Sequence, residues 1–559
     1  MKLRSHRSLL LAGLALVSFG SSCSGCNRGP AEPPARWLAP QADLVIEIPD
    51  ITVIAKKNSI LKKQLAGIVR AEQYEAALGE LKRALGFDPT SPEGLAAAGL
   101  PKQGMIGGEV LDGGRGGLWI IPAADAEKLT KTITDAIKSR SNIDETKEEA
   151  LEGGGKLFNF LSTWGNEKYS VAAFTIQKGT AFLGAGNKSV DYVKQALARK
   201  KEESLLASPA YDGLVKAAAP DALVRIMVPS AKTILDRLGP SVPKTGLAAA
   251  LDSTVWSVSL DDKTFAINAR LRYKDADLKA LLALFAVTAK TPRGVLATLE
   301  PDAVLTVLGG GDVNAILAAF APPGSELGAE ADSFFARLKD EIGLDVRGQV
   351  IPAMSGQGAF ALGIGDISGL RDVRSFLMTP AKFLWSSSAI GLKSPEDAKK
   401  LSLMGSELDA AFERRGLVRE GRKLKELPIE TVRLKQPMEG QDPLLMESFV
   451  AGGAWIVTNT AKETERIAAA AETAASDPLK GAGGLAVTLR VAPLTTAIRA
   501  VNLDQIASGA EGLVIRSVVE RALGIMATLS TVELLAEPVA DGASVTLRVH
   551  FAPAPAAQN

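Results

Sequence analysis

VAAFTIQKGTAFLGAGNKSVDYVKQALAR, from Val171 to Arg199, is the stretch whose reading decides the fold. Apolar residues alternate on both sides of Lys178-Gly179, which marks two strands joined by a tight hairpin turn. Beyond Asn187 the period changes: Val190, Val193 and Leu197 recur at helical spacing, so a helix opened by Asn187 is expected. The same succession returns later, with Phe449 to Val457 as the hairpin around Gly452-Gly453 and Thr460 opening a helix that carries Ile467.

Working outward, four further pairs of segments match in the same order and at a nearly constant offset. Leu38 to Ile46 parallels Leu299 to Val307, a Pro-led turn feeding a strand. Leu81-Lys82 before Leu85-Gly86-Phe87-Asp88 parallels Leu338-Lys339 before Ile342-Gly343-Leu344-Asp345, where glycine stops a helix. Ala222 to Ile234 parallels Leu485 to Ile498, and Ser253-Thr254-Val255 with Leu271-Arg272 parallels Ser530-Thr531-Val532 with Leu547-Arg548. Each member of the last pair is a long hairpin with a polar tip, Asp261-Asp262-Lys263 or Asp541-Gly542. Collinear matches of this kind predict two tandem homologous repeats.

Short turns between strands favour antiparallel pairing, so the expected class is α+β, each repeat a mainly antiparallel sheet with packed helices. Helices are expected at 53–68, 71–86, 125–140, 188–200, 208–218, 230–238 and 275–289. The apolar run Leu278 to Ala289 is short and contains Lys279, which makes it a core helix and not a membrane span. The expected organisation is a signal peptide at 1–22, a tether at 23–36, repeats at 37–291 and 292–553, and a flexible tail at 554–559.

The N-terminus speaks of location. Lys2, Arg4 and Arg7 precede the apolar run Leu9 to Phe19, and Gly20-Ser21-Ser22 then leads to Cys23. That is a secretory signal peptide. It resembles the bacterial lipoprotein signal, and the resemblance implies that the cysteine after cleavage is acylated. Cys23 abuts the apolar run and is the expected lipidation site; Cys26, after Ser24-Gly25, is the alternative. A metal or redox role for Cys23-x-x-Cys26 fails on count, because the chain has 2 cysteines. Asn27 to Arg36 is a Pro-rich, extended tether. The expected location is the bacterial cell envelope, at the outer membrane, held by the lipid.

Composition excludes several functions. Among 559 residues, 46% are hydrophobic, enough for real cores, while aromatics are 5%, too few for base-stacking or sugar-stacking platforms. The net charge of +1 with interspersed signs gives no footprint for nucleic acid. Of the 2 histidines, His6 lies in the signal, and His550 sits in a strand pattern and reads as a solvent-face residue. Ser59-x-x-Lys62 with Lys244-Thr245-Gly246 resembles the serine acyl-enzyme motif, but no middle element accompanies it and the Lys-Thr-Gly follows a loop. Gly153-Gly154-Gly155-Lys156 and Gly184-x-Gly186 lack phosphate- and dinucleotide-loop spacing. Gly113 to Gly117 reads as a hairpin tip, and Asp312 after Gly309-Gly310-Gly311 as a helix N-cap.

Pro40-x-Ala42-Asp43 before the first strand, Phe182 to Leu197, and Ser208-Pro209-Ala210-Tyr211 before Ala222-Leu223-Val224 carry a further likeness. In these the chain resembles a family of uncharacterised bacterial secreted proteins and lipoproteins, built on a domain of unknown function. The resemblance implies no catalytic residues, cofactor or metal. The expected function is a non-catalytic, lipid-anchored envelope protein for binding or scaffolding, with a protein partner or an apolar ligand. A carrier of lipid is the alternative, and an enzyme comes third.

Overall fold

The computed structural model describes residues 32–552, apart from 66–70, 153, 232–250, 275–277, 279–281, 283, 286–289, 321–323, 343–344, 366, 368–378, 395, 398–400, 402–408, 410–411, 439–440, 472–476, 480–482 and 501–508. The chain divides into two compact units, Met1–Tyr273 and Lys274–Asn559.

Unit 1 has strands β1 (Leu44–Ile48), β2 (Ile106–Leu111), β3 (Gly116–Pro122), β4 (Glu145–Ala150), β5 (Lys156–Trp164), β6 (Glu167–Gln177), β7 (Thr180–Ala185), β8 (Val224–Val228), β9 (Leu251–Leu260) and β10 (Thr264–Tyr273). They pair antiparallel in the order β4-β5-β6-β7-β3-β2-β1-β8-β9-β10. Its helices are α1 (Ile51–Leu65), α2 (Ala71–Leu85), α3 (Pro92–Ala97), α4 (Ala126–Arg140), α5 (Ser189–Ala198) and α6 (Pro209–Ala217).

The organising hairpin is β6–β7. Lys178 and Gly179 both take positive φ, 48° and 77°, as a primed two-residue turn requires. Ala123 N–H donates to Gly179 O at 2.8 Å and ties that turn to the end of β3. Strand alternation then supplies two cores, one on each face. Ile46, Ile48, Ile106, Trp119, Ile121, Phe160 and Phe174 meet Leu129, Ile133 and Ile137 of α4 on one face. Val45, Leu118, Ile120, Phe182 and Met227 meet Val193 of α5 and Tyr211 and Leu214 of α6 on the other. The helix after β7 begins at Ser189, not under an Asn187 cap: Ser189 N–H closes a tight turn on Gly186 O at 2.9 Å first.

Unit 2 has β11 (Leu305–Gly310), β12 (Met354–Ile364), β13 (Leu384–Leu392), β14 (Leu417–Leu424), β15 (Leu427–Leu434), β16 (Leu444–Ala451), β17 (Ala454–Thr458), β18 (Gly484–Arg490), β19 (Leu529–Val539) and β20 (Gly542–Phe551). Their order is β14-β15-β16-β17-β13-β12-β11-β18-β19-β20, again antiparallel. Helices used below are α7 (Arg293–Ala297), α8 (Val313–Phe320), α9 (Glu326–Ile342) and α10 (Ala461–Ala470). Gly452 and Gly453, at φ 53° and 76°, make the β16–β17 turn, and Thr460 caps α10 by accepting from Glu463 N–H at 3.2 Å.

The fold class expected from sequence is corrected here. The protein is built on 20 antiparallel strands in wide, open sheet, with helices attached to it, and not as α+β tandem homologous repeats. Periodicity registers hairpins and helices one at a time. It is blind to the long-range ladders, β1–β8 and β3–β7 among them, that knit hairpins into a sheet ten strands wide in each unit. The two units share a strand order, which is a likeness of topology and does not establish homologous copies. The expected helices 230–238 and 275–289, the signal, residues 23–31 of the tether and the tail from 554 lie wholly or mostly outside the described residues.

Candidate functional site

Unit 2 carries a groove of about 1030 Å³ at one end of its sheet. Three turns build it. The β14–β15 turn brings Leu424 to Leu427, the β16–β17 turn brings Val450 to Gly453, and the end of β13 brings Leu392 to Ser394. Helix α10 closes one side with Glu465, Ala468 and Ala469. Its alanines keep that wall low, and a larger residue at 468 or 469 would narrow the space. Leu392 N–H donates to Gly453 O at 2.9 Å and Gly294 N–H to Gly452 O at 3.0 Å, so the turn is held by backbone on both sides. Lys393, Lys425, Glu426 and Glu465 give the lining two charges of each sign, without a net preference for an anion or a cation. Lys393 Nζ donates to Pro352 O at 2.8 Å.

A buried ion pair ties β14 to β16. Glu447 on β16 is 1% exposed and takes a two-pronged bond from Arg422 of β14, Nε to Oε1 and Nη2 to Oε2, both at 2.8 Å. Burial raises the Glu447 carboxyl, but the Arg422 fork together with Thr464 and Thr431 outweighs it and leaves the group below its ordinary value. This is a structural pair, satisfied within the sheet.

One face of the unit 2 sheet is apolar and only half covered. Register places Val307, Phe360, Val487, Leu534 and Ser388 in one cross-strand row, with Leu305, Leu362, Leu489 and Val532 in the next. Phe360 and Leu485 are each 37% exposed. The corresponding row in unit 1, through Ile46, Gly108 and Trp119, is filled: Ile46 is 2% and Trp119 6% exposed. The opposite face of unit 2 is a closed core, where Leu308, Ala359, Ala389 and Ile456 meet Val295 of α7 and Ile467 of α10.

The residues singled out in the sequence fall elsewhere. Cys23 and Cys26 lie outside the described residues. Ser59 and Lys62 sit on the exposed surface of α1, where Lys62 pairs with Glu75; Lys244-Thr245-Gly246 is outside the described residues. His550, on β20 at the other end of the sheet order from the groove, stands 3.1 Å from Glu533. Gly154 and Gly155 form the β4–β5 turn, and Lys156 of β5 pairs with Glu148 at 2.8 Å. Asp312 accepts from Ala315 N–H at 3.0 Å, the N-cap of α8. Among the described residues no group of three or more His, Cys, Asp or Glu stands close enough to hold a metal ion. Among them, too, no helix is long and apolar enough to cross a membrane.

Sequence reading missed the groove because its lining is short turns and alanines with no signature of their own. Glu447 left a fainter trace, an acidic residue between apolar neighbours in Leu444-Leu445-Met446-Glu447-Ser448-Phe449-Val450 at a core-facing register.

No protein-family model matches the chain, and no curated protein does. Among solved structures, three crystal forms of TP0453 align with part of it. Form III has 11% identity and a TM-score of 0.25 over 47% of this chain and 91% of that one. Form IV has 11% and 0.25 over 48% and 92%, and form I 9% and 0.24 over 47% and 90%. At these scores the likeness carries no argument about fold or function.

Proposed function

We propose that this protein is a non-catalytic, lipid-anchored protein of the bacterial cell envelope, with a binding or scaffolding role carried by unit 2. The anchor rests on the sequence, Leu9 to Phe19 running into Cys23 or Cys26. The binding role rests on one observation above the others, the groove of about 1030 Å³ between the β14–β15 and β16–β17 turns and α10. A cleft of that size, built from turns on a wide rigid sheet, suits recognition.

The half-open apolar face supports a finer reading, a carrier of lipid or another apolar ligand. A sheet face offers no backbone hydrogen bonds, since those groups are spent in the ladders. An extended peptide laid on Val307, Phe360, Leu362 and Leu485 would leave its own N–H and C=O groups unpaired; a hydrocarbon chain has none to lose. An enzyme has less behind it: besides four charges the groove is lined by Ser394, whose hydroxyl donates to Asp397 Oδ2 at 2.7 Å while accepting from Asp397 N–H at 3.2 Å, a reciprocal turn-capping arrangement.

Native mass spectrometry of the mature chain tests the proposal. A retained apolar molecule or partner subunit that is lost in Ala468→Trp, which sets an indole against the α10 wall of the groove, is expected. A bare chain in every preparation overturns it.

A further inference from the structure

The chain from Pro34 to Ala39 is where the tether enters unit 1, and it does so as part of the core. Ala35 and Leu38 are 0% exposed and Ala39 3%. Pro34 presses on β2 so closely that a Cβ on Gly107 would meet Pro34 Cβ at 2.4 Å. Trp37 stands edge-on to Phe182 of β7, ring centroids 5.4 Å apart. Leu205 N–H donates to Leu38 O at 2.8 Å.

Beneath this segment lies a carboxylate. Glu109 of β2 is 2% exposed, and its Oε2 accepts from Ala39 N–H at 2.6 Å. Arg199, just past α5, holds its Nη1 4.0 Å from Glu109 Oε1 and donates from the same atom to Trp37 O. Arg36 Nη1 donates to Arg199 O at 2.8 Å, and Glu32 stands 3.8 Å from Arg36. Opposite Glu109 on the flanking strands are Val45 of β1 and Leu118 of β3, both apolar. Glu47, two residues along β1, is engaged separately by the Tyr211 hydroxyl at 2.5 Å and lies 4.0 Å from Arg225. Glu203 acts only through Arg199, whose charge it supports.

We propose that residues 34–39 are a strap closed over Glu109, and that protonation of this one carboxyl sets how firmly the strap is held. The strap is what keeps water from Glu109, so opening it hydrates the group and favours the ionised form; closing it takes up a proton. Burial raises the carboxyl from 4.5 to about 7, against the Ala39 N–H bond and the Arg199 charge that lower it. With the folded value above the free one, the closed strap is favoured most below 4.5 and loses that advantage as pH rises through about 7. The gap corresponds to a change in the closing equilibrium on the order of 100-fold. An open strap would add roughly 20 Å of reach to the tether.

Hydrogen exchange of the full mature chain, corrected for the intrinsic pH dependence of exchange, tests this at the Ala39 and Leu205 amides. Protection is expected to rise on the order of 100-fold from about pH 8 to about pH 5, and to be flat in Glu109→Gln. Flat protection in the wild type, or the same pH dependence in Glu109→Gln, overturns the proposal. Should Glu109→Gln fail to fold, Arg199→Gln serves: removing the charge that lowers the Glu109 carboxyl must move the midpoint upward, and an unmoved midpoint is equally fatal.

Discussion

Removing Arg422 is the sharpest perturbation of the unit 2 scaffold. Its guanidinium is the partner of a carboxylate that is 1% exposed, through two bonds of 2.8 Å, with Thr464 and, at 3.4 Å, Thr431 Oγ1 as further donors. Arg422→Ala deletes the cation and leaves Glu447 charged in the sheet. Breaking a buried pair in this way costs about 3–5 kcal/mol. Arg422 is itself 32% exposed, so water will follow it in and the lower end, about 3 kcal/mol, is expected. Equilibrium urea unfolding at neutral pH reads it directly. Glu447→Gln in the Arg422→Ala background should recover part of the loss, because the orphaned charge is then gone. The pH arm has a definite sign. Glu447 is held below its ordinary value of 4.5, so its contribution is present above that pH and lost as the pH falls; the Arg422→Ala profile should lack this acid limb. A loss under about 1 kcal/mol, the range of a surface bridge, with no recovery in the double variant, would show that solvent already reaches Glu447 and refute the reasoning.

Glycine at the two primed turns should differ in cost. Gly179→Val strains a left-handed position by about 1–3 kcal/mol, whereas Gly452→Ala should cost more than Gly179→Ala: its Cβ would meet Gly294 N at 2.6 Å and Ala471 O at 2.7 Å, against Ala123 O at 3.5 Å for Gly179. Equal melting temperatures for the two alanine variants would contradict this. Changing both Cys23 and Cys26 to serine should release the protein from membranes or leave its signal uncleaved, and a mature, membrane-bound double variant rules the anchor out. Phe360→Gln and Leu485→Gln, both at positions 37% exposed, should each cost about 1–2 kcal/mol for the apolar area still buried and leave the chain folded while weakening uptake of a fluorescent long-chain fatty acid; unchanged uptake removes the carrier reading.

How much of this was legible depended on whether a residue's neighbours were close in sequence. The β6–β7 hairpin and α5 could be read from Val171 to Arg199 because alternation and a positive-φ turn are local properties. Strand β4, Glu-Thr-Lys-Glu-Glu-Ala, could not: it is an edge strand with exposed side chains, so no apolar alternation marks it, and its charges guard the edge. Glu47 and Glu109 were visible as acidic residues inside strands, Leu44 to Ile48 and Ile106 to Leu111. What made them matter, Tyr211 and Arg225 for one, Ala39 and Arg199 for the other, is spread over the chain and joined only by the fold.

The contrast between units follows from a few exchanges at matching register. Between β1 and β2 of unit 1, Ile46 faces Gly108, and the space over that glycine is taken by Trp119, where a Cβ would come within 2.5 Å of the indole. In unit 2 the matching pair is Val307 and Phe360, and the next strand offers Ser388 in place of a large ring. A phenyl standing beside a serine gains less packing on that side than one beside a ring, and Phe360 is 37% exposed. On the other face the exchange runs the opposite way: where unit 1 buries Glu47 and Glu109, unit 2 has Leu308 and Ala361, the former 1% and the latter 0% exposed. One strand order thus supports two distributions of polarity. At these central positions unit 1 keeps carboxylates inside, Glu109 under the strap and Glu47 against Tyr211, and unit 2 keeps apolar side chains partly accessible on its other face. If the strap responds to pH and the open face takes up ligand as proposed, the two lie in different units, so Glu109→Gln should leave fatty-acid uptake at Phe360 and Leu485 unchanged, and a variant that lost both would refute the separation.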